Sequence, residues 1–172
     1  TPVDVKDGVL CRWLNAGEGH AEGSKLELLT YLTYNLQIDL SSSYNETTLT
    51  QGQANIVVKG DHLPRSSDVN ATLGLQYDFT LQGLDSFARI DYSYLGEYYS
   101  NVKETGTPAG NYGQLNLKAG LVYNQIAVDL FVINATNNDG LSWVGSIQSQ
   151  VGLTTANRIL PRTIGINMSY QF

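Results

Sequence analysis

From Leu160 to the last residue, Phe172, the sequence LPRTIGINMSYQF alternates long side chains with small or polar ones. Leu160, Arg162, Ile164, Ile166, Met168, Tyr170 and Phe172 fall on one parity; Pro161, Thr163, Gly165, Asn167, Ser169 and Gln171 fall on the other. Period two is the geometry of a β-strand whose two faces meet different surroundings. A terminal segment usually frays, whereas this one has the pattern of a strand held to its last aromatic residue.

The same alternation recurs upstream. In SDVNATLGLQYDF, Val69, Ala71, Leu73, Leu75, Tyr77 and Phe79 oppose Asp68, Asn70, Thr72, Gly74, Gln76 and Asp78. FARIDYSYLGEYY sets Ala88, Ile90, Tyr92, Tyr94 and Tyr98 against Arg89, Asp91, Ser93 and Glu97. LQIDLSSSY, LNLKAGLVY and GSKLELLTYLTY behave alike, while IAVDLFVIN is less regular because Phe131 and Ile133 share the parity of Asp129. The pattern predicts seven strands, at 23–34, 36–48, 67–79, 86–100, 112–124, 126–137 and 158–172, the first extending back toward Val9. No segment has helical spacing. Short turns near Asn35, Gln82-Gly83 and Asn124-Gln125 alternate with long connections at 49–66, 101–111 and 138–157, rich in Gly, Asn, Ser and Thr.

Strict alternation of short and long connections is the habit of an antiparallel, up-and-down transmembrane β-barrel in an outer membrane, with short periplasmic turns and long outer loops. Strand length agrees: about 10–12 residues, tilted, cross such a membrane. Charged residues are only 15% of the chain, well below the norm for a soluble surface, and uncharged polar residues take their place. Eleven Tyr against four Phe indicate rings placed where apolar meets wet. Tyr34, Tyr77, Phe79, Tyr123, Tyr170 and Phe172 fall by the short turns, and Tyr44, Tyr94, Tyr98 and Tyr112 toward the long loops, as two interfacial girdles would require. Asp39, Asp68, Asp78, Arg89, Asp91, Lys118 and Asp129 must then face inward. The contrasting reading is a soluble sheet with its polar face in bulk water. The net charge of −6 argues against a nucleic-acid partner, which needs a basic surface. Apolar runs are too short for a transmembrane helix, and no signal peptide is visible at the start, TPVDVKDGVL.

Seven strands do not close a bacterial barrel, which needs an even number of eight or more, and an open edge in lipid leaves backbone groups unpaired. Residues 1–14 lack sustained alternation and read as an outer loop and strand start rather than an eighth strand. The expectation is therefore that residues 1–172 form the C-terminal segment of one larger barrel domain.

Several stretches resemble TonB-dependent outer-membrane receptors. NAGEGHAEGSKLEL (Asn15 to Leu28) resembles that family's N-A-G-x-A-x-x-x-G-x-E-L-E-L stretch; GDHLPRSSDVNATLGLQYDF with FARIDYSYLGEYYS resembles its G-D-x-L-P loop, return strand and Tyr-rich strand. FVINATNN (Phe131 to Asn138) is similar to its F-x-x-N-L-T-N strand end, and LPRTIGINMSYQF to its closing L-R-P-R-T-x-G-x-x-x-x-Y-x-F. Lys25, where the family has an acidic residue, Ala135 in place of Leu, and His62 within the G-D-x-L-P loop depart from the pattern. The resemblance implies a 22-stranded barrel with an N-terminal plug, of which this chain carries roughly the last seven strands without the plug. It implies energy-coupled import of a siderophore, cobalamin or oligosaccharide in a Gram-negative outer membrane, with lipid, lipopolysaccharide, the TonB complex and the barrel-assembly machinery as partners. On the same footing, Ile166, Met168, Tyr170 and Phe172 form the assembly signal and periplasmic anchor. A passive channel, or a structural or adhesive barrel, is the alternative.

No enzyme chemistry is legible. His20 and His62 lack ligand spacing to each other or to Cys11, no G-x-S-x-G elbow or phosphate-cradling Gly loop occurs, and no cofactor or metal is expected. Asn45, Asn70, Asn134 and Asn167 begin N-x-S/T triplets inside predicted strands and read as chance. Trp143, Tyr99 and His62 are candidate ligand-facing loop residues.

Overall fold

The computed structural model describes residues 17–52, 58–101, 104, 106–148 and 153–172. Among the described residues nine strands appear: β1 (Gly17–Thr33), β2 (Leu36–Gly52), β3 (Val69–Leu81), β4 (Leu84–Leu95), β5 (Tyr112–Tyr123), β6 (Ile126–Ile133), β7 (Leu141–Gln148), β8 (Leu153–Arg158) and β9 (Thr163–Tyr170). β1 to β6 and β9 make one antiparallel sheet in chain order, and β7 pairs with β8 as a separate hairpin. The seven predicted strands are the seven of the large sheet. Residues 1–14 and Cys11, and any extension of β1 toward Val9, lie outside the described residues.

The pairing register converts the alternation of each strand into rows that run across the whole sheet. One row reads Ile38, Leu75, Ile90, Leu117, Val132 and Ile164, partner to partner from β2 to β9. Another reads Leu28, Leu40, Leu73, Tyr92 and Leu115. The opposite face carries Asp39, Gly74, Asp91 and Asn116 in one row and Gln37, Gln76, Arg89 and Lys118 in the next. A one-residue slip at any pair would exchange the faces, so the register itself holds apolar with apolar.

Among the described residues nothing covers the apolar face. Leu28, Leu73, Ile90, Leu117, Leu130, Ile164, Ile166 and Met168 are all exposed, and the buried apolar residues Leu49, Ala109 and Val144 lie at the long-loop end. The chain exposes 12569 Å², against roughly 8300 Å² for a compact monomer of its mass. A soluble sandwich would bury those rows against a second sheet. Here they form a patch far larger than water tolerates.

Three predicted strands run past their true ends, and each stop has a local cause. β4 ends at Leu95 rather than residue 100: the Gly96 amide makes a last ladder bond to the Val69 carbonyl (2.8 Å), and there the backbone of Gly110 crosses against Gly96. β6 ends at Ile133 because Asn134 adopts a left-handed backbone, φ 52°. β9 begins at Thr163, after Pro161, which has no amide hydrogen to donate to the ladder. The 138–157 connection, expected to be irregular, contains β7 and β8. At the opposite end the turns are tight. Gln82 and Gly83 both have positive φ (53° and 85°), the type I′ geometry that suits the twist of a hairpin.

The faces make opposite predictions for one kind of substitution. Ile90→Lys, in the middle of an apolar row, will lower the urea unfolding free energy of the protein in lipid vesicles by roughly 2–4 kcal/mol. Gln37→Lys, on the polar face beside Asp39, will change it by less than about 1 kcal/mol. Equal effects at the two positions would contradict the assignment of faces.

Candidate functional site

The polar face is organised by ion pairs that cross strands. Arg89 on β4 donates from Nε and Nη2 to Asp91, two residues on (3.0 and 2.7 Å), and from Nη1 to Asp39 on β2 (2.9 Å). β3 lies between those strands, so the guanidinium must pass over it, and the residue beneath is Gly74. A Cβ there would sit 2.6 Å from Nη2 and 3.0 Å from Asp91 Oδ1. A side chain at this position would force the guanidinium to shift from its path across β3. Gln37 adds an amide donor to Asp39 (3.1 Å), and Lys25 pairs with Glu27 on β1 (2.7 Å).

A second cluster continues the wall toward β9. Lys118 on β5 pairs with Asp129 on β6 (2.9 Å) and stands 5.4 Å from the centre of the Phe87 ring. Asn167 on β9 donates to Asp129 (3.3 Å). Phe131, which broke the alternation of its strand, lies flat over Gly165, where a Cβ would collide with the ring. Asp91, Asn116, Lys118, Asp129, Phe131 and Asn167 line a shallow depression between the clusters. Paired charges and amides on a rigid sheet give a wall able to meet water, polar solute or packed protein. Among the described residues no cluster of three or more His, Cys, Asp or Glu offers a metal site.

The predicted aromatic residues fall into distinct settings. Tyr34 and Phe172 are fully exposed at the short-turn end, Tyr77 stacks on Phe79 (ring centres 5.9 Å apart), and Tyr123 is exposed. Tyr170, which pairs with Ile126, donates its hydroxyl to Gln125 (2.7 Å); Met168 and Ile166 pair with Val128 and Leu130 on the apolar face. At the long-loop end Tyr44 is exposed and Tyr94 donates to Asn111 Oδ1 (3.2 Å). Tyr98 and Tyr112 instead pack into the loops: the Tyr98 hydroxyl donates to the Ser142 carbonyl (2.7 Å), and the Tyr112 ring, on the polar parity of β5, covers Gly140.

The three loop residues singled out from the sequence do not converge on one spot. Trp143 folds its ring over Gly145 on its own strand. Tyr99 accepts the Arg65 amide on its carbonyl (2.7 Å), and His62 stands 3.7 Å from Glu104. The G-D-x-L-P stretch has a mechanical role. Gly60 takes φ 98°, Asp61 accepts the Val58 amide on its side chain (2.9 Å), and the backbone of Gly60 and Asp61 bonds to Leu49, so that Leu63 lies against Gly19 beside Leu49.

The residue that sequence reasoning passed over is Asn134. It has 0% exposure. Its side-chain amide donates to the carbonyls of Asn138 (2.7 Å) and Leu160 (2.8 Å), its Oδ1 accepts the Asn138 amide (2.9 Å), and its own amide reaches Asn116 Oδ1 (3.0 Å). One side chain thus ties together the end of β6, the start of the long connection and the approach to β9. Asn134→Ala removes the partner of the Asn138 and Leu160 carbonyls and of the Asn138 amide and will lower stability by on the order of 3 kcal/mol, read from the denaturant midpoint; an unchanged midpoint would contradict that role.

Comparison with known proteins follows the same lines. The family model described as TonB dependent receptor-like, beta-barrel matches residues 2–152. The crystal structure of the ferric yersiniabactin uptake receptor FyuA from Yersinia pestis is similar over 92% of this chain, with a TM-score of 0.81 and 18% sequence identity, a likeness of fold. The chain spans 24% of that receptor. No curated protein matches it. With the family model extending over most of its length, the chain belongs to the TonB-dependent receptor-like β-barrels.

Proposed function

We propose that these residues are the late, C-terminal strands of an outer-membrane receptor that imports a bulky, scarce nutrient by drawing on the inner-membrane TonB complex. The observation that carries this reading is the two-faced sheet. Uncovered rows of Leu, Ile and Tyr suit the hydrocarbon of the outer membrane, and the Arg89 and Lys118 clusters on the other face suit an enclosed lumen. The membership of the chain in its family supports the same reading.

Each end of the sheet then has a role. Lipid and lipopolysaccharide surround the apolar face, with Tyr34, Tyr77, Phe79, Tyr123, Tyr170 and Phe172 at the periplasmic interface and Tyr44 and Tyr94 at the outer one. Tyr98 and Tyr112 brace loops beside that outer ring. The free edges of β1 and β9 pair with strands of the rest of a barrel of about 22, since an unpaired edge has no place in lipid. The assembly machinery reads the β9 edge, with Ile166, Met168, Tyr170 and Phe172 as its signal. The plug and the TonB-contacting segment belong to sequence preceding these strands. The substrate class is a ferric siderophore, cobalamin or an oligosaccharide; the structural relative is an uptake receptor for ferric yersiniabactin. Trp143, Tyr99 and His62 lie in the loops such a solute would pass.

The test is uptake by intact cells expressing the full receptor, with labelled ferric siderophores, cobalamin and oligosaccharides offered in turn. One of these will accumulate, and accumulation will cease when the inner-membrane energy source is deleted. Accumulation that persists after the deletion would point to a passive channel, and accumulation of none to a structural or adhesive barrel.

A further inference from the structure

The described parts of the long connections at the outer end are not three separate loops. They are joined, each to the next, by backbone bonds in series. The 58–68 segment reaches the 96–111 segment where the Arg65 amide meets the Tyr99 carbonyl (2.7 Å), and His62 faces Glu104 across the same gap (3.7 Å). Within the second segment Tyr98 and Ala109 exchange both backbone bonds (2.9 Å each), and Ala109 is 2% exposed. The second segment holds the β7–β8 hairpin at three points. The Gly110 amide donates to the Leu141 carbonyl (2.8 Å), the Tyr98 hydroxyl to the Ser142 carbonyl (2.7 Å), and the Ser100 hydroxyl to the Val144 carbonyl. The far side of the hairpin returns through Ile159, whose amide meets the Gly140 carbonyl (3.0 Å), to the buried Asn134.

We propose that these connections form one rigid rim that orders and opens as a single unit, with Asn134 as its anchor, and that the β7–β8 hairpin is a fixed post of the mouth rather than a lid. Two features single out Asn134. Its side chain bonds to both the leaving limb, at Asn138, and the returning limb, at Leu160, of the hairpin segment, and it is fully enclosed, so water does not compete for those bonds while the rim is closed. Val144 in the hairpin is buried as well, 4% exposed. A lid needs a low-stability segment with solvated backbone bonds. The described part of this hairpin is tied along one strand to its neighbour. The inference concerns the loops alone and does not depend on what the barrel transports.

Hydrogen exchange on the full-length receptor in lipid nanodiscs, without any solute, tests it. In the unmodified protein the amides of Ala109, Gly110 and residues 141–144 will exchange as slowly as the outer ends of β4 and β5. In Asn134→Leu, protection at 109–110 and at 141–144 will fall together by more than an order of magnitude, while the amides of residues 117–121 keep theirs. Free exchange of the hairpin in the unmodified protein, or loss confined to residues 134–138 in the variant, would overturn the proposal. Should Asn134→Leu fail to assemble, Tyr98→Phe removes only the bond to Ser142. It will speed exchange at 109–110 and at 141–144 alike, and a change confined to one of the two segments would count equally against the rim.

Discussion

Every backbone amide and carbonyl that enters hydrocarbon must find a protein partner there, and the strand ladder is how this sheet provides one. The ladder fixes side chains to alternate faces, so each strand serves two surroundings at once. Six strands contribute to the row from Ile38 to Ile164 because the register leaves them no other place. The charges are confined by the same rule. A carboxylate at position 39 or 91 is acceptable only because its neighbours across the sheet point the same way and include Arg89.

Crowding on the polar face has its own solution. Long side chains that bridge strands need floor space, and the sheet supplies it at Gly74 and Gly165. A soluble sheet can spread such groups into water. A wall that curves around a lumen must lay them flat, and a residue without a Cβ is the cheapest floor. Beyond the membrane the logic changes again. The rim residues are buried in small groups held by backbone bonds, with Asn134, Ala109 and Val144 enclosed, and no alternation governs them.

That change explains what was legible beforehand. Alternation identified all seven strands of the sheet, because two unlike surroundings impose it on each strand. It overran at residues 96–100, 134–137 and 158–162, where parity persists by chance after the ladder has ended. Tyr98 continues the parity of Ile90 and Tyr94, yet its hydroxyl belongs to Ser142. β7 and β8 were missed because LSWVGSIQ and LTTANR are short and lie outside the two-faced wall. The Arg89–Asp91 pair could be read from spacing on one face, but Asp39 is fifty positions away and needed the register. Asn134 was visible as the head of an N-x-T triplet and as the Asn of the F-x-x-N-L-T-N resemblance, neither of which shows its bonds. The sharper signal was its spacing to Asn138, since Asn favours left-handed turns and local backbone bonds.

The central claim is that the Leu, Ile and Tyr rows face lipid and the Arg89 rows face a lumen. Spin labels placed one at a time at positions 88 to 94 of the full receptor, in a Cys11→Ser background and in a bilayer, measure this directly. Labels at 88, 90, 92 and 94 will be relaxed by oxygen, which concentrates in hydrocarbon, and shielded from a polar nickel complex. Labels at 89, 91 and 93 will lack that oxygen enhancement. A flat profile along β4, or one with the parities exchanged, would contradict the account.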